Sequence, residues 1–320
     1  MREVFAAALR WSGTNVPFAL ATVVDVRNAA PAPLGATMSV TGDGRVAGDI
    51  GAGCYEGEIV SAAAATVKDG LSRVLELDLS SDDIVAGGSG CGGFLEVVTW
   101  RPPGDFAKTA AAIVAGCSDV TFSVAYERDG VVREFVATVS GRGKLIVVGG
   151  TTLAQELASI ASRLDYRTVV VDPRPVFATR ERLAAVEELV VAWPDDALPA
   201  MLSARTPLVV ISHDPKLDIP ALRCGLNSAA PYIGLLGSRR AQTMRRAALR
   251  ADGFAEAALE RIHGPSGLDL GGVSMAETAV SILAEIVAAT HGRSGGSLLR
   301  HWGAIHNPGL PVTSAGGADL

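Results

Sequence analysis

The stretch Leu145-Ile146-Val147-Val148-Gly149-Gly150-Thr151-Thr152-Leu153-Ala154 decides the fold of the C-terminal part of this 320-residue chain. It opens with four apolar residues, three of them β-branched, and such a run predicts a buried β-strand. The two glycines predict a tight turn, and the residues after them predict a helix over 152–164. A strand, a glycine turn and a helix in this order are typical of the first unit of a Rossmann fold.

Strands and helices continue to alternate downstream of this unit. Further strands are expected at residues 168–171, 189–192, 208–211 and 232–235, with a helical stretch before the strands at 189 and 208. Two more helices are expected at residues 238–251 and 274–290. This alternation predicts an α/β fold with a doubly wound parallel sheet that is wrapped by helices. With the usual strand order, the fourth strand lies beside the first, so the loops that follow these two strands share one edge of the sheet.

The earlier part of the chain is instead rich in short strands and turns. Strands are expected at residues 18–26, 36–41, 45–50, 74–79, 94–100, 120–126 and 131–139, and helices at 56–68 and 106–115. This pattern predicts an α+β domain rich in antiparallel strands. A glycine-rich boundary at Gly141-Arg142-Gly143 then divides the chain into an N-terminal domain (1–141), a Rossmann-like domain (142–292) and a flexible tail (293–320).

The charge balance and the apolar runs of the sequence argue against a nucleic-acid-binding protein, a membrane-spanning protein and a secreted protein. The chain has 28 basic and 34 acidic residues, a net charge of −6, which argues against a protein whose whole surface binds nucleic acid and leaves one local basic patch open. A transmembrane helix needs a run of roughly 18 apolar residues, and the sequence has none. The N-terminal apolar run ends at Arg10, too early for a signal peptide. We therefore expect a cytoplasmic protein without a membrane span.

The glycine turn and the next strand leave nucleotide binding open. Gly149 and Ala154 match the first and last small residues of the dinucleotide fingerprint, but Thr151 stands where the fingerprint has its middle glycine. A side chain at Thr151 obstructs the approach of a pyrophosphate, which weakens the case for NAD. Asp172 follows the second strand, where an acidic residue would bind a ribose hydroxyl. The alternative interpretation of the two glycines is a simple tight turn.

The loop after the fourth strand carries His213, Asp214 and Lys216, which the topology brings beside the Gly149 turn. These three side chains are candidates for cofactor binding. The alternative is that Asp214 only caps the following helix.

A second loop, after the fifth strand, carries Ser238, Arg239 and Arg240 at the start of a helix. A helix N-terminus with two arginines favours an anion, and phosphate fits a guanidinium best. The alternative is that Ser238 is an N-cap and both arginines are only solvated.

Two cysteines stand in glycine-rich surroundings in the N-terminal part. Cys54 precedes a predicted helix, which would stabilise its thiolate, although Glu56 in the first turn partly opposes this effect. Cys91 lies within the glycine-rich residues 87–93, whose backbone can approach a large ligand. The chain has no Cys-x-x-Cys pair, so a sequence-local zinc site is unsupported, while a site built from distant cysteines stays open. The alternative is that both are small buried residues.

Taken together, these motifs resemble the XdhC/CoxI family of molybdenum-enzyme maturation factors over residues 5–300. Each piece is weak alone, and their shared order along the chain makes the resemblance specific. The matching pieces are residues 21–24, 30–35, 53–57, 91–93 with Glu96, 171–174, 177–180, 213–216, 234–240, 267–271 and 281–286. The chain departs from the family at Thr151, where the first-strand loop usually reads Gly-Ala-Gly, and in the tail from His301.

The resemblance implies a carrier of the molybdenum cofactor. Such a protein would hold molybdopterin while a cysteine desulfurase supplies a terminal sulfur, and would then insert it into an apo hydroxylase of the xanthine dehydrogenase or carbon monoxide dehydrogenase type. It implies that Cys54 and Cys91 contact the molybdenum or handle sulfur, and that Glu56 orients the pterin. A homodimer is left open.

Two other functions compete with this cofactor-insertion chaperone, which would not be a turnover enzyme. Gly149, Asp172 and the strand–helix alternation are also compatible with an NAD(P)-dependent oxidoreductase, against which Thr151 argues. The third candidate is a nucleotide-regulated scaffold that recognises its client through the N-terminal domain.

Overall fold

The computed structural model describes residues 1–28, 31–50, 53, 55–78 and 93–300. These residues form two compact units, which divide between Gly141 and Arg142. Unit 1 is a mixed unit built on an antiparallel sheet, and unit 2 contains a parallel sheet, so the predicted fold class is confirmed. In the described part of the chain, no helix combines the length and the apolar character that crossing a membrane requires.

Unit 1 contains a five-stranded antiparallel sheet and a separate hairpin. The sheet has the order β3-β2-β1-β5-β4, and β6 pairs with β7. Its elements are α1 (Arg2–Gly13), β1 (Phe18–Arg27), β2 (Thr37–Thr41), β3 (Val46–Ala47), α2 (Glu56–Asp69), β4 (Arg73–Asp78), β5 (Phe94–Trp100), α3 (Phe106–Ala115), β6 (Val120–Arg128) and β7 (Val131–Val139).

The helix α1 is absent from the elements expected from the sequence. This helix buries Val4, Phe5, Ala7 and Ala8, which lie on one face at helical spacing. The Phe5 ring is packed edge-on against Phe122 in an aromatic core, at a centroid distance of 5.7 Å. Packing against this core, and not local sequence preference alone, stabilises the helix.

Unit 2 is a six-stranded parallel sheet with helices on both faces. The strand order is β10-β9-β8-β11-β12-β13, so the fourth strand lies beside the first as predicted. Its elements are β8 (Gly143–Val148), α4 (Thr152–Ala161), β9 (Tyr166–Val171), β10 (Glu188–Val190), α5 (Pro194–Ala197), β11 (Leu208–Val210), α6 (Pro215–Leu226), β12 (Ile233–Leu235), α7 (Arg239–Ala251), α8 (Glu256–Leu259), β13 (Ile262–His263) and α9 (Met275–Thr290).

The connection between β9 and β10 differs from the sequence-based expectation. The sequence predicts a helical stretch before β10, but residues 172–187 form turns and bends. Pro173 and Pro175 explain this, because each proline lacks a backbone N–H and disfavours helical backbone in the residue before it. The end of the connection is fixed by Arg180, whose guanidinium donates to the carbonyls of Val186 and Glu187.

Candidate functional site

The loops after β8, β9 and β11 pack directly against one another at the carboxyl edge of the unit 2 sheet. A Cβ atom on Gly149 would lie 2.9 Å from the Cα of Ser212, in the loop after β11. A Cβ atom on Gly150 would lie 2.7 Å from the carbonyl oxygen of Phe177, in the loop after β9. The two glycines therefore allow three loops to meet where Rossmann folds bind their ligands.

The Gly149 turn is shaped by its backbone. Gly149 has φ of +117°, a conformation that favours glycine, and it leads directly into α4. Thr151 is the N-cap of α4, and its hydroxyl oxygen accepts a hydrogen bond from the N–H of Ala154. The threonine that interrupts the dinucleotide fingerprint thus serves the helix itself. The role of Gly149 in cofactor binding stays a prediction.

Asp172 is fully buried at the end of β9, and its carboxylate is bound by the protein itself. Its Oδ2 atom accepts hydrogen bonds from the N–H of Gly150 at 2.8 Å and from Nη2 of Arg174 at 2.8 Å. Its Oδ1 atom accepts from the N–H and the Nε of Arg174, at 3.0 and 2.9 Å. Burial alone would raise the pKa of Asp172, but these hydrogen bonds and the Arg174 charge hold it below its usual value. Asp172 therefore joins the β9 loop to the Gly149 turn.

His213 is held in an unusual backbone conformation by a buried ion pair. Its φ is +61°, in the left-handed region that is uncommon outside glycine, and its side chain is exposed. Arg245 donates through Nη2 to the carbonyl of His213 at 3.1 Å and pairs with Asp218 at 2.9 Å. The other oxygen of Asp218 accepts from the Ser212 hydroxyl at 2.6 Å. This network fixes the loop on both sides of His213.

Asp218 and Arg245 are not among the residues singled out from the sequence, although a signal for Asp218 is present. Asp218 lies in α6 on the same face as the buried Leu217, Ala221 and Leu222, so it interrupts an apolar stripe. A charge on the buried face of a helix predicts a buried partner. The identity of that partner requires the fold.

The two helix starts at this edge are capped in the way that the simpler alternatives predict. Asp214 is the N-cap of α6, and its Oδ1 atom accepts from the N–H of Lys216 at 3.0 Å. Ser238 is the N-cap of α7, and its hydroxyl oxygen accepts from the N–H of Ala241.

The cationic side chains next to these caps are open to solvent. Lys216, Arg239 and Arg240 are exposed, and within the described residues none of them forms an ion pair. The α7 start is close to the His213 loop, since a Cβ atom on Gly237 would lie 4.0 Å from Nδ1 of His213. The structure therefore brings the predicted His213 and Ser238 loops together, while ligand binding by these residues stays a prediction.

In unit 1, the residues expected at the molybdenum are only partly described. Cys54 and Cys91 lie outside the described residues. Glu56 is the first residue of α2 and is half-buried, next to Tyr55, whose hydroxyl donates to the carbonyl of Asp78 at 2.8 Å. Over the described ranges, no cluster of three or more histidine, cysteine or acidic side chains could hold a metal ion.

The motif residue Glu96 is almost completely buried on β5. It forms an ion pair with Arg128, which also pairs with Glu76 on the neighbouring strand β4. Arg128 therefore ties β6 to the main sheet of unit 1, and the ion pair gives Glu96 a structural role in that unit.

A second cluster in unit 2 was not expected from the sequence. The carboxylate of Glu285 on α9 accepts hydrogen bonds from the Tyr232 hydroxyl at 2.6 Å and from the N–H of Gly267 at 2.7 Å. Its other oxygen lies 3.1 Å from Nδ1 of His263, whose ring stacks on Tyr232 at a centroid distance of 4.5 Å. Burial would raise the pKa of Glu285, yet these hydrogen bonds lower it below its usual value. The cluster joins α9 to the residue before β12, to β13 and to the loop after β13.

Comparison with other proteins assigns both units. The sequence model described as the XdhC and CoxI family matches residues 11–78, and the XdhC Rossmann domain matches residues 145–286. A solved structure titled as a xanthine dehydrogenase from Bacillus halodurans superposes with a TM-score of 0.73. It is 23% identical and covers 92% of this chain and 98% of that one, which supports the fold.

Three relatives align along most of the chain. The molybdenum cofactor insertion chaperone PaoD of Escherichia coli K12 is 25% identical over 89% of this chain and 86% of its own length. A protein of Bacillus subtilis 168, named as a probable xanthine dehydrogenase component, is 23% identical over 84% of this chain and 92% of its own length. Escherichia coli YqeB is 25% identical over 93% of this chain, which spans only 48% of that longer protein. Since both family models match in order, one in each unit, the chain belongs to the XdhC and CoxI family.

Proposed function

We propose that this protein acts in the maturation of molybdenum enzymes. It binds the molybdenum cofactor as cargo, holds it while a terminal sulfur is installed, and inserts it into an apo hydroxylase of the xanthine dehydrogenase or carbon monoxide dehydrogenase type. The observation that carries this proposal is the family membership, together with the alignment to PaoD along most of both chains. A cysteine desulfurase is the proposed sulfur donor.

The carboxyl edge of unit 2 has the chemistry to hold the phosphate of molybdopterin. Arg239 and Arg240 are exposed at the start of α7, a 13-residue helix whose N-terminal dipole favours an anion. Guanidinium groups bind phosphate through paired hydrogen bonds, and neither arginine is engaged by an acidic side chain in the described part of the chain. His213 and Lys216 add polar groups on the neighbouring loop. These residues fit a phosphate-bearing ligand.

Unit 1 carries the other residues that we propose to act on the cofactor. Cys54 and Cys91 are thiols that would contact the molybdenum or handle the sulfur, and Glu56 would hydrogen-bond the pterin. The support for these roles is the match of residues 11–78 to the family, which includes Cys54 and Glu56.

The first test is metal and pterin analysis of the protein, purified without oxygen from a host that makes the cofactor. We expect molybdenum and pterin in near-equal amounts with the protein. An Arg239→Ala/Arg240→Ala variant should retain about tenfold less pterin, because hydrogen bonds to charged groups are lost. Arg163→Ala is the matched control, since Arg163 is an exposed arginine after α4, at the other end of that helix.

Separate outcomes test the two sets of residues. Full pterin content in the double arginine variant would refute the phosphate role of α7. Full cofactor content and normal client maturation by a Cys54→Ala/Cys91→Ala variant would refute the cysteine roles. A wild-type protein that holds no molybdenum and no pterin, from a host with a verified supply, would refute the proposal as a whole.

The competing oxidoreductase function has less support from the site. The side chain of Thr151 caps the start of α4. The hydrogen bonds that Asp172 accepts all come from groups of the protein itself. An NAD-dependent enzyme of the usual Rossmann type needs a glycine where this chain has Thr151, and a free acid where it has Asp172. We therefore retain the cofactor carrier as the proposed function.

A further inference from the structure

The connection between β9 and β10 places two cations against one aromatic ring. We name residues 173–182 the arginine loop. The guanidinium carbon of Arg174 lies 4.4 Å from the centre of the Phe177 ring, and that of Arg182 lies 5.5 Å from the same centre. Stacking of this kind holds a guanidinium in place while its N–H groups stay available to a ligand. The Phe177 ring therefore holds both guanidinium groups of the arginine loop in defined positions at the carboxyl edge of the sheet.

Asp172 stands where an acid of a Rossmann fold normally binds a ribose, but hydrogen bonds within the protein occupy its acceptor positions. A carboxylate has about four acceptor positions, and Asp172 fills them with the N–H of Gly150 and three donors of Arg174. Its side chain is also completely buried. A free 2′-hydroxyl of a nucleotide thus finds no acceptor on Asp172, although it would lie next to this residue in a Rossmann site.

The arginine loop instead offers positive charge beside that position. Arg174 keeps about a third of its side chain exposed, and its Nη1 atom has no hydrogen bond within the described residues. Arg182 is exposed and forms no ion pair there either. The acids nearby are Asp172, which is saturated, Glu181, which is exposed, and Asp214, which attracts Arg174 from the loop after β11. The charge of Arg182 is therefore not neutralised by an ion pair in the part of the chain that the structure describes.

We infer that the arginine loop selects a nucleotide that carries a phosphate on the 2′ position of its adenosine ribose. In Rossmann folds, an arginine near the end of the second strand accommodates this phosphate, while an acid at the same strand end takes the free hydroxyl. Here the acid is neutralised by Arg174, and Arg182 supplies the second guanidinium. This inference goes beyond the proposed cofactor role and does not depend on it.

The neighbouring Gly149 turn limits which nucleotides are suitable for testing this inference. The arginine loop packs on Gly150 through the carbonyl of Phe177, so it lies beside the start of α4. Thr151 restricts the approach of a pyrophosphate to that helix, but it places no such limit on a single phosphate. The compound 2′,5′-ADP carries the ribose phosphate without a pyrophosphate, and 5′-AMP is the same molecule without the 2′-phosphate.

The test is calorimetric titration of the full chain, free of molybdenum cofactor, with 2′,5′-ADP and with 5′-AMP. We expect 2′,5′-ADP to bind about tenfold more tightly, the effect of one or two hydrogen bonds between charged groups. Arg182→Ala should remove most of this preference, and Arg163→Ala should keep it. Arg174 is left intact, because its removal would leave Asp172 as a buried charge without a partner.

Several results would overturn the inference. They are equal affinity for the two nucleotides, no binding of 2′,5′-ADP at millimolar concentration, and an unchanged preference in Arg182→Ala. Inorganic phosphate that competes as strongly as 2′,5′-ADP would also overturn it, since the site would then recognise only the anion. Because the protein carries no molybdenum cofactor in this titration, failure here leaves the proposed carrier function untouched.

Discussion

At the scale of single residues, unit 2 places an ion pair where water cannot compensate for the loss of one partner. Asp218 is 1% exposed and Arg245 is 9% exposed, and together they support the backbone of His213. A buried pair of this kind adds little stability compared with well-packed apolar residues, but either charge alone is costly. The pair therefore has more influence on the conformation of the His213 loop than on the net stability of the unit.

The single variants should both be less stable than the wild type. Asp218→Leu leaves Arg245 buried without a counter-charge, and Arg245→Met leaves Asp218 in the same state. We expect each to lower the free energy of unfolding by about 3–5 kcal/mol, measured by urea denaturation. The double variant Asp218→Leu/Arg245→Met should recover most of this loss. Additive losses in the double variant would show that the two side chains are not coupled.

For single residues, the sequence predicts the positions of site residues along the fold better than it predicts their hydrogen-bond partners. Asp172 stands at the end of the second strand as expected, but the sequence does not show that Arg174 would occupy it. Asp214 and Ser238 are N-caps, which the sequence offers as the simpler alternatives. Hydrogen-bond partners depend on side-chain directions that no sequence spacing encodes, and for this reason the candidate site could be located while its hydrogen bonds could not be predicted.

At the scale of elements, the predicted helices that succeeded have strong end signals. The helix α9 is expected from residue 274 and begins at Met275 with Ser274 as its N-cap. The Ser274 hydroxyl oxygen accepts from the N–H of Glu277, and the Glu277 carboxylate accepts from the N–H of Ser274 at 2.8 Å. This reciprocal arrangement is a capping box, and it satisfies donors that the helix itself cannot.

Removal of this cap should have a modest and measurable effect. Ser274→Ala should lower the free energy of unfolding by about 1 kcal/mol, because the N–H of Glu277 loses its acceptor. The control is Ser159→Ala, an exposed serine in α4 whose side chain has no hydrogen bond in the described part of the chain. Equal midpoints of urea unfolding for both variants would contradict a capping contribution from Ser274.

The elements that were not predicted from the sequence lack such end signals. The one helix that was predicted wrongly contains residues that break helices. The helix α1 has no side-chain cap, and the packing of Phe5 stabilises it instead. The expected helix before β10 was wrong because two prolines break the pattern within the arginine loop. The strand β13 has only two residues, which is too short for periodicity to be detected.

At the scale of the whole molecule, the class and strand order could be predicted because strand–helix alternation admits few topologies. Sheet order follows from the rules of right-handed, doubly wound connections once the strands are known. Contacts between distant segments cannot be predicted in this way. The cluster of Tyr232, His263 and Glu285 joins residues that lie far apart in the chain, and no local pattern indicates that they meet.

This cluster should make the stability of the protein sensitive to acid. The pKa of Glu285 is lower in the folded state than its usual value of 4.5, so its contribution is complete above that pH. The contribution is lost as the pH falls through the lowered pKa, because the carboxylate must then accept a proton. In urea denaturation, Glu285→Gln should therefore be less stable than the wild type at pH 7 and approach it in acid.

The matched control for this prediction is Glu260→Gln, at an exposed glutamate of unit 2 without an ion pair in the described residues. It should follow the wild type across the pH range. A Glu285→Gln variant whose deficit in unfolding free energy is the same at every pH would show that the carboxylate charge plays no part.

The stacking of His263 on Tyr232 also gives unit 2 a spectroscopic marker. The two rings are 4.5 Å apart and inclined by 32°, so the imidazole lies in the magnetic shielding region of the phenol ring. The chain has only five histidines, and the carbon-bound imidazole protons fall in an uncrowded part of the proton spectrum. A histidine resonance displaced upfield, and its return to the random-coil position, thus reports the formation and loss of the contact between His263 and Tyr232 without any added probe.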